Sequence, residues 1–219
     1  LVKMGRIVEI DKRVKQFIMR YADGIIVNVG AELDTMFSRM DNGRIRWYNV
    51  DMPETMELRR RMLESKDREQ NIGKSILDFT WLDSVKKNQG EAILFVCCDV
   101  TKYFTTKKLQ AFLDAIWQRF PGAEVLFDVK NSVGRKQANL KVLTGKKKGA
   151  FIKVSIDNCT SLMYDWNIKY RVLYDRAILN KEDITDMFSD NVARRYRHAI
   201  RRKYDKIIQL RLGTERIQF

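Results

Sequence analysis

The sequence is poor in the residues that break, staple or metallate a chain. Two prolines, three cysteines and one histidine occur among 219 residues, and glycine is limited to 11. That scarcity excludes collagen-like and low-complexity architectures, and a 45% hydrophobic content excludes a disordered chain. The cysteines, Cys97, Cys98 and Cys159, cannot all pair. Two are neighbours in a run that reads as a strand, where adjacent side chains point to opposite faces. This fits buried thiols in a reducing, cytoplasmic compartment better than a disulfide framework. The chain has no C-x-x-C spacing, and the lone His198 offers no partner ligand, so no metal centre is expected. The longest apolar run, Ala92 to Cys98, falls far short of the ~20 residues of a membrane helix, and no secretory leader pattern is read. The chain opens at Leu1-Val2-Lys3, which leaves room for a further N-terminal piece.

What the sequence has in excess is positive charge. Lys and Arg number 42 against 28 Asp and Glu, a formal net charge of +14. Such a field attracts anions and bears on association rather than on fold. The densest stretch is Arg194-Arg195-Tyr196-Arg197-His198-Ala199-Ile200-Arg201-Arg202-Lys203. Its apolar positions Val192, Tyr196, Ala199 and Ile200 keep helical spacing, so the plain reading is an amphipathic helix with a solvated basic face. A nucleic-acid or anionic-substrate surface is the alternative. Lys146-Lys147-Lys148 reads as a loop tip, and His198 as a surface residue of the basic helix.

Along the chain, helical and strand patterns alternate. Val8, Val14, Phe17 and Ile18 mark a first helix ending near Asp23-Gly24. Ile25–Val29 is a short β-branched run and predicts a buried strand closed by Gly30. A second strand is expected over Arg44–Val50, after the Asp41-Asn42-Gly43 turn, followed by a helix from Pro53 to about Leu63. Asn71–Leu77 is a weaker strand and Ala92–Cys98 the strongest. Thr105 or Thr106 caps a helix that presents Leu109, Phe112, Leu113, Ile116 and Trp117 on one face and ends at Pro121-Gly122. Ala123–Val129 is the next strand; residues 131–150 read as loop-rich or helical, and Phe151–Val154 as a short extension. Ile168–Leu173 and Lys206–Leu212 look like late strands joined through the basic helix. With neither repeat nor linker, residues 1–219 read as a single doubly wound α/β domain.

In such a fold ligands bind at the carboxyl ends of the strands, at the topological switch point. The residues after strand one are therefore the first candidates, and Gly30 allows close backbone approach there. Asp51 follows 21 positions later at the tip of strand two. That is near the ~20-residue spacing of an acidic side chain that accepts hydrogen bonds from a ribose. The full G-x-G-x-x-G fingerprint is absent, which points away from a dinucleotide and toward a nucleoside without phosphates.

These residues resemble a known family. Ile26-Val27-Asn28-Val29-Gly30-Ala31-Glu32-Leu33-Asp34-Thr35 is similar to the V-V-N-L-G-A/C-G-L-D-T motif of the leucine carboxyl methyltransferases, a family that includes tetracenomycin-type polyketide O-methyltransferases. Further segments match in order. Arg44 to Glu54 resembles W-Y-x-x-D-L-P-E, continued by Glu57-Leu58-Arg59-Arg60. Ser75 to Asp83 resembles S-x-L-D-x-x-W-x-D, and Ile93 to Phe104 resembles V-L-F-x-A-E-G-V-x-x-Y-F. Arg119 to Asp128 matches the approach to strand five. The resemblance implies a Rossmann-like class I methyltransferase with a seven-stranded, mostly parallel sheet and helices on both faces. It also implies S-adenosyl-L-methionine as cofactor and O-methylation of a small-molecule carboxylate or hydroxyl.

Position by position, the resemblance sets Gly30 under the cofactor's methionine portion, Asp51 on its ribose, and Ser75 and Ile76 beside its adenine. Arg6, preceding the first helix, falls where the family pairs an arginine with the cofactor carboxylate, a role that suits a planar guanidinium. Tyr103 and Phe104 are candidates to line the acceptor pocket, Phe104 equally a core residue, while Trp47 and Trp81 read as packing against the sheet. Asp34 and Thr35 are candidate caps for a helix after strand one. Two positions depart from the pattern. Glu32 stands where the family has Gly, and Cys97-Cys98-Asp99 replaces Ala-Glu-Gly, so that Cys98 occupies the position of the glutamate that meets the cofactor's amino end. Asp99 or Glu32 is the available substitute. If neither serves, the fold is a degenerate methyltransferase-like binding module whose basic surface engages an anionic partner such as RNA.

Overall fold

In the computed structural model, residues 2–64, 66–146, 148–179 and 189–213 are described. The chain opens with helix α1 (Val2–Arg20), which buries Ile10, Val14 and Phe17 along one stripe. Strand β1 (Ile25–Val29) is buried at every position and leads to a short helix α2 (Met36–Met40). Strand β2 (Arg46–Asp51) precedes α3 (Pro53–Met62), where proline sits in the first turn and no N–H is lost from the helix ladder. Strand β3 (Glu69–Gly73), a 3-10 turn (Phe79–Ser84), β4 (Ile93–Cys97), and a second 3-10 turn (Thr101–Tyr103) follow. Helix α4 (Thr106–Arg119) is capped by the Thr105 hydroxyl, which accepts from the Lys108 N–H. The chain then continues through β5 (Glu124–Lys130), α5 (Ser132–Leu143), α6 (Cys159–Trp166), β6 (Tyr170–Ala177), α7 (Asp190–Arg201) and β7 (Asp205–Leu212).

The strands form one seven-stranded sheet in the order β3-β2-β1-β4-β5-β7-β6. β1 to β5 run parallel and β7 is antiparallel to both neighbours, so the expected mostly parallel α/β sheet is the observed one. The order reverses between β1 and β4, which places a crevice beyond their carboxyl ends. Each face of the sheet has its own core. One packs Trp81, Phe95, Phe112 and Phe127 beneath α4, and the other packs Phe17, Phe37 and Trp47 beneath α1 and α2. Trp47 and Trp81 are fully buried, and side chains of this kind contribute about 1.5–3 kcal/mol each. Cys97 and Cys98 do face opposite sides: Cys97 belongs to the first core and Cys98 packs against the second.

Several boundaries move for identifiable reasons. β2 begins at Arg46, not Arg44, because the Asn42 side chain accepts the N–H groups of Arg44 and Ile45 and holds them in the turn. β3 ends at Gly73 instead of continuing to Leu77: the Lys74 N–H makes the last ladder bond, to the Asp51 carbonyl, and beyond it the chain turns where the Ser75 carbonyl accepts the Asp78 N–H. Residues 151–154 form no strand. The Asn139 side chain both donates to the Ile152 carbonyl and accepts its N–H, replacing a ladder partner. The penultimate strand is longer and later than Ile168–Leu173, and the 131–150 region contains a full helix capped by Asn131. Helix α6, capped by Asn158, went unread, while the helix expected after strand one is the short α2. Neither Thr35 nor Asp34 caps α2: no side-chain cap bond is made, and both oxygens accept from Arg39.

Candidate active site

Four strand ends build the crevice. At the end of β1 the chain turns at Gly30, whose φ is +72°. The Gly30 N–H is held on the Val50 carbonyl at 2.8 Å. A Cβ at this position would lie 2.2 Å from Val100 Cγ2, so the turn and the segment after β4 can approach only because Gly30 has no side chain. Glu32 also adopts a left-handed conformation, φ +43°, which explains why the family has glycine there. Its side chain is exposed, and its backbone N–H donates to Asp51 Oδ2 at 2.9 Å.

Asp51 is the hub of this end. Its second oxygen accepts the Met52 N–H at 2.7 Å, so two backbone donors fix the carboxylate while each oxygen keeps lone-pair capacity. The Asp51 carbonyl accepts the Lys74 N–H at 2.9 Å, drawing the segment that bears Ser75 and Ile76 to its side. Both are half-buried, and Ser75 accepts the Asp78 N–H in a turn. Gly30, Asp51, Ser75 and Ile76 are thus brought to the tips of β1, β2 and β3.

A second cluster sits beyond β4 and β5. Arg6 lies within α1, not before it as the resemblance implied, and α1 carries it over the sheet edge. Its Nη1 donates to Asp99 Oδ1 at 2.5 Å and to Asp128 Oδ2 at 2.8 Å. Burial opposes the Arg6 charge, but Asp128 and Asp99 outweigh it and the guanidinium is held charged. Partial burial likewise opposes ionisation of Asp99, and the hydrogen bonds from Lys102 and Arg6 overcome it, keeping its carboxyl below the ordinary value. Burial pushes the Asp128 carboxyl up, against the pull of Arg6. Cys98 is half-buried and its thiol is pushed up to about 12 by burial and by Asp128, so it is a neutral group at pH 7 and no nucleophile. Asp99, next to it, is the ionised carboxylate of this corner, and it stands at φ +60°. A cavity of about 450 Å³ opens here, with Arg6, Asp99, Lys102 and Asp128 on one side and Ile152 and Val154 on the other. Tyr103 is 54% exposed beside it, with the Lys102 ammonium 4.9 Å from its ring centroid. Phe104 is core, edge-on to Phe112 at 5.5 Å.

Sequence reasoning missed the residue that shapes the first cluster. Arg59 of α3 is 3% exposed. It donates to the carbonyls of Asp34 (2.7 Å) and Glu32 (3.2 Å) and to Glu69 Oε1 (2.8 Å). It therefore ties the loop after β1 to β3. Glu69 also accepts from Asn49, which accepts the Trp47 indole N–H and donates to Asn71, a polar network under the loop. The available signal was position: Arg59 follows Met56 by three residues and so shares the buried stripe of α3.

The parallel sheet, the antiparallel final strand and the glycine turn at β1 together define the class I methyltransferase fold. Solved structures agree. Magnesium protoporphyrin IX methyltransferase from Synechocystis PCC 6803, with bound SAH, superposes with a TM-score of 0.59 at 10% identity, covering 96% of this chain and 84% of that one. N-methyltransferase NodS from Bradyrhizobium japonicum WM9 gives 0.56 at 11% identity, covering 98% and 97%. In sequence, the tetracenomycin polyketide synthesis O-methyltransferase TcmP of Streptomyces glaucescens is 28% identical over 121 residues, 55% of this chain. The aligned stretch spans 44% of TcmP, less than half its length. The profile of the leucine carboxyl methyltransferase family matches residues 3–117, and the chain belongs to that family.

Proposed function

We propose that this chain binds S-adenosylmethionine and transfers its methyl group to a carboxylate or hydroxyl oxygen of a small molecule. The observation that carries the reading is Asp51: a carboxylate fixed by two backbone donors, at the tip of β2, beside the Gly30 turn and the Ser75–Ile76 segment. That donor set fits a ribose diol, with Ser75 and Ile76 beside the base. The Arg6–Asp99 pair fits the amino-acid end of the cofactor, because a zwitterion presents a carboxylate to the guanidinium and an ammonium to the carboxylate. Asp99 takes the place that the family gives to the residue at Cys98, and Cys98 borders it as a neutral wall.

When bound, the cofactor supplies an electrophilic methyl carried on a sulfonium. The protein then has to place the acceptor oxygen and exclude water. A carboxylate acceptor is ionised at neutral pH and needs no base, which suits a crevice that contains no histidine. Lys102 lines the cavity in an ion pair with Asp99, and Tyr103, next in the chain, is exposed.

Isothermal titration with S-adenosylmethionine tests the reading. Micromolar binding is expected, and Asp51→Ala is expected to weaken it by about 1–3 kcal/mol through the lost hydroxyl contacts. Arg6→Ala is expected to weaken the cofactor more than its decarboxylated analogue. Absence of binding at millimolar cofactor overturns the reading and leaves the fold as a methyltransferase-like binding module.

A further inference from the structure

Beyond β4 and β5, three parts of the chain meet on one carboxylate. Side chains alternate along β5, so Phe127 joins the core beneath α4 and Asp128 shares the face of Leu126, beneath α1. Arg6 lies one helical turn before Ile10 and extends the buried stripe of α1 onto this face. The Asp128 side chain is 15% exposed, and both of its oxygens are engaged. Oδ2 accepts Arg6 Nη1 at 2.8 Å, and Oδ1 accepts the backbone N–H of Asp99 at 2.6 Å. The Asp128 carbonyl accepts the Thr101 hydroxyl at 2.5 Å, which ties the turn after β4 to the same residue.

Each oxygen restrains a group that has other conformations open to it. Asp99 stands at φ +60°, where a Cβ is strained, and such a residue persists only when its surroundings over-determine it. The bond to Asp128 Oδ1 fixes its N–H directly. Arg6 is a long side chain with many rotamers to lose, and its Nη1 is shared between Asp99 and Asp128. A zwitterion entering here has to part the Arg6–Asp99 pair. Each partner keeps a second ion pair as it does so: Arg6 with Asp128, and Asp99 with Lys102 at 2.6 Å.

We infer, resting on the cofactor reading, that Asp128 is the positioning residue of the amino-acid end: it keeps Arg6 aimed at the cofactor's carboxylate and Asp99 at its ammonium. It acts through these two groups and not by contact, because its oxygens point at them and little of it is exposed. A positioning role is specific to ligands that carry the amino-acid end. A role confined to tying β4 to β5 would instead affect every ligand of the crevice alike.

Isothermal titration of the full chain with two ligands tests it. S-adenosylhomocysteine has the amino-acid end; 5′-methylthioadenosine keeps the nucleoside and lacks that end. Asp128→Asn retains an oxygen for the Asp99 N–H but sets an amide donor against the guanidinium. It is expected to weaken S-adenosylhomocysteine at least about fivefold. The affinity for 5′-methylthioadenosine is expected to stay within about twofold, which also reports that the variant is folded. In an Arg6→Met chain the same substitution is expected to change S-adenosylhomocysteine binding by less than about twofold, since the group it aims is gone. Asp128→Ala releases the Asp99 N–H as well and is expected to lose more than Asp128→Asn, again from S-adenosylhomocysteine alone. The assignment is overturned if both ligands weaken alike, if the Asp128→Asn loss is undiminished without Arg6, or if Asp128→Ala loses no more than Asp128→Asn. Equal affinity of the unaltered chain for the two ligands also overturns it and leaves the nucleoside site standing. Failure of the unaltered chain to bind either ligand strikes the cofactor reading itself, and the assignment falls with it.

Discussion

Two arginine-rich helices, α3 and α7, look alike in sequence and behave differently in the fold. α3 contains Arg59-Arg60-Arg61 and α7 contains Arg194-Arg195. Arg59 is buried among two carbonyls and Glu69, whereas Arg194, Arg195, Arg197 and Arg201 of α7 are exposed and pair with no acid among the described residues. Charge density in a sequence therefore says little about use. What decides is whether the sheet brings an acid and a set of carbonyls to the same place. At the strand tips it does, and the charge holds loops: Arg59 fixes the turn after β1, and Arg6 joins the ends of β4 and β5. At α7 no described residue supplies that acid, and the arginines stay exposed.

Substitutions widen or close that contrast. The largest effect is expected from Arg59→Met, which leaves Glu69 buried without its partner and frees two loop carbonyls. A loss of about 3–5 kcal/mol in urea unfolding is expected, and a loss below about 1 would deny Arg59 its clamping role. Gly30→Ala is next. Positive φ and the contact with Val100 make a cost of about 1–3 kcal/mol the expected result, with part of it recovered in Gly30→Ala/Val100→Ala. Recovery in the double variant identifies the steric part, and its absence would assign the whole cost to backbone conformation.

Asp99 gives a smaller and pH-dependent effect. Its carboxyl sits below the ordinary value in the folded chain, so its stabilising contribution is present above the ordinary carboxylate pKa. It is lost as pH falls through the lowered folded value. Asp99→Asn removes that slope; because the side chain is half-exposed, the difference near neutrality is expected to be under about 1 kcal/mol. Parallel stability-against-pH curves for the two proteins would show that Asp99 is not coupled to Arg6 and Lys102. At the small end, Arg195→Gln is expected to change stability by no more than about 0.5 kcal/mol, since nothing in the fold depends on its charge. A larger loss would mean that α7 is neutralised by the chain itself.

Most of the fold was legible because its signals are local and periodic. The β-branched run at β1, the Ala92–Cys98 region around β4 and the apolar stripe of α4 each mark an element without reference to the rest of the chain. Asp51 and Gly30 were legible for a related reason: strand length and loop length fix which residues fall at the tips. The misread boundaries at Arg44 and Phe151 share one cause. In each case a side-chain amide takes a backbone group that the strand pattern assigns to a ladder.

By itself the sequence determined the class of fold, most of its strands and helices, and the position of Gly30 and Asp51 at strand tips, because hydrophobic period and turn chemistry are properties of neighbouring residues. The tertiary structure decided what the charges do. Arg6 lies 93 positions from Asp99 and 122 from Asp128, and Arg59 is 25 from the Asp34 carbonyl that it holds. An ion pair depends on distance in space and on burial, and those are set only when the sheet has formed and carried remote groups together.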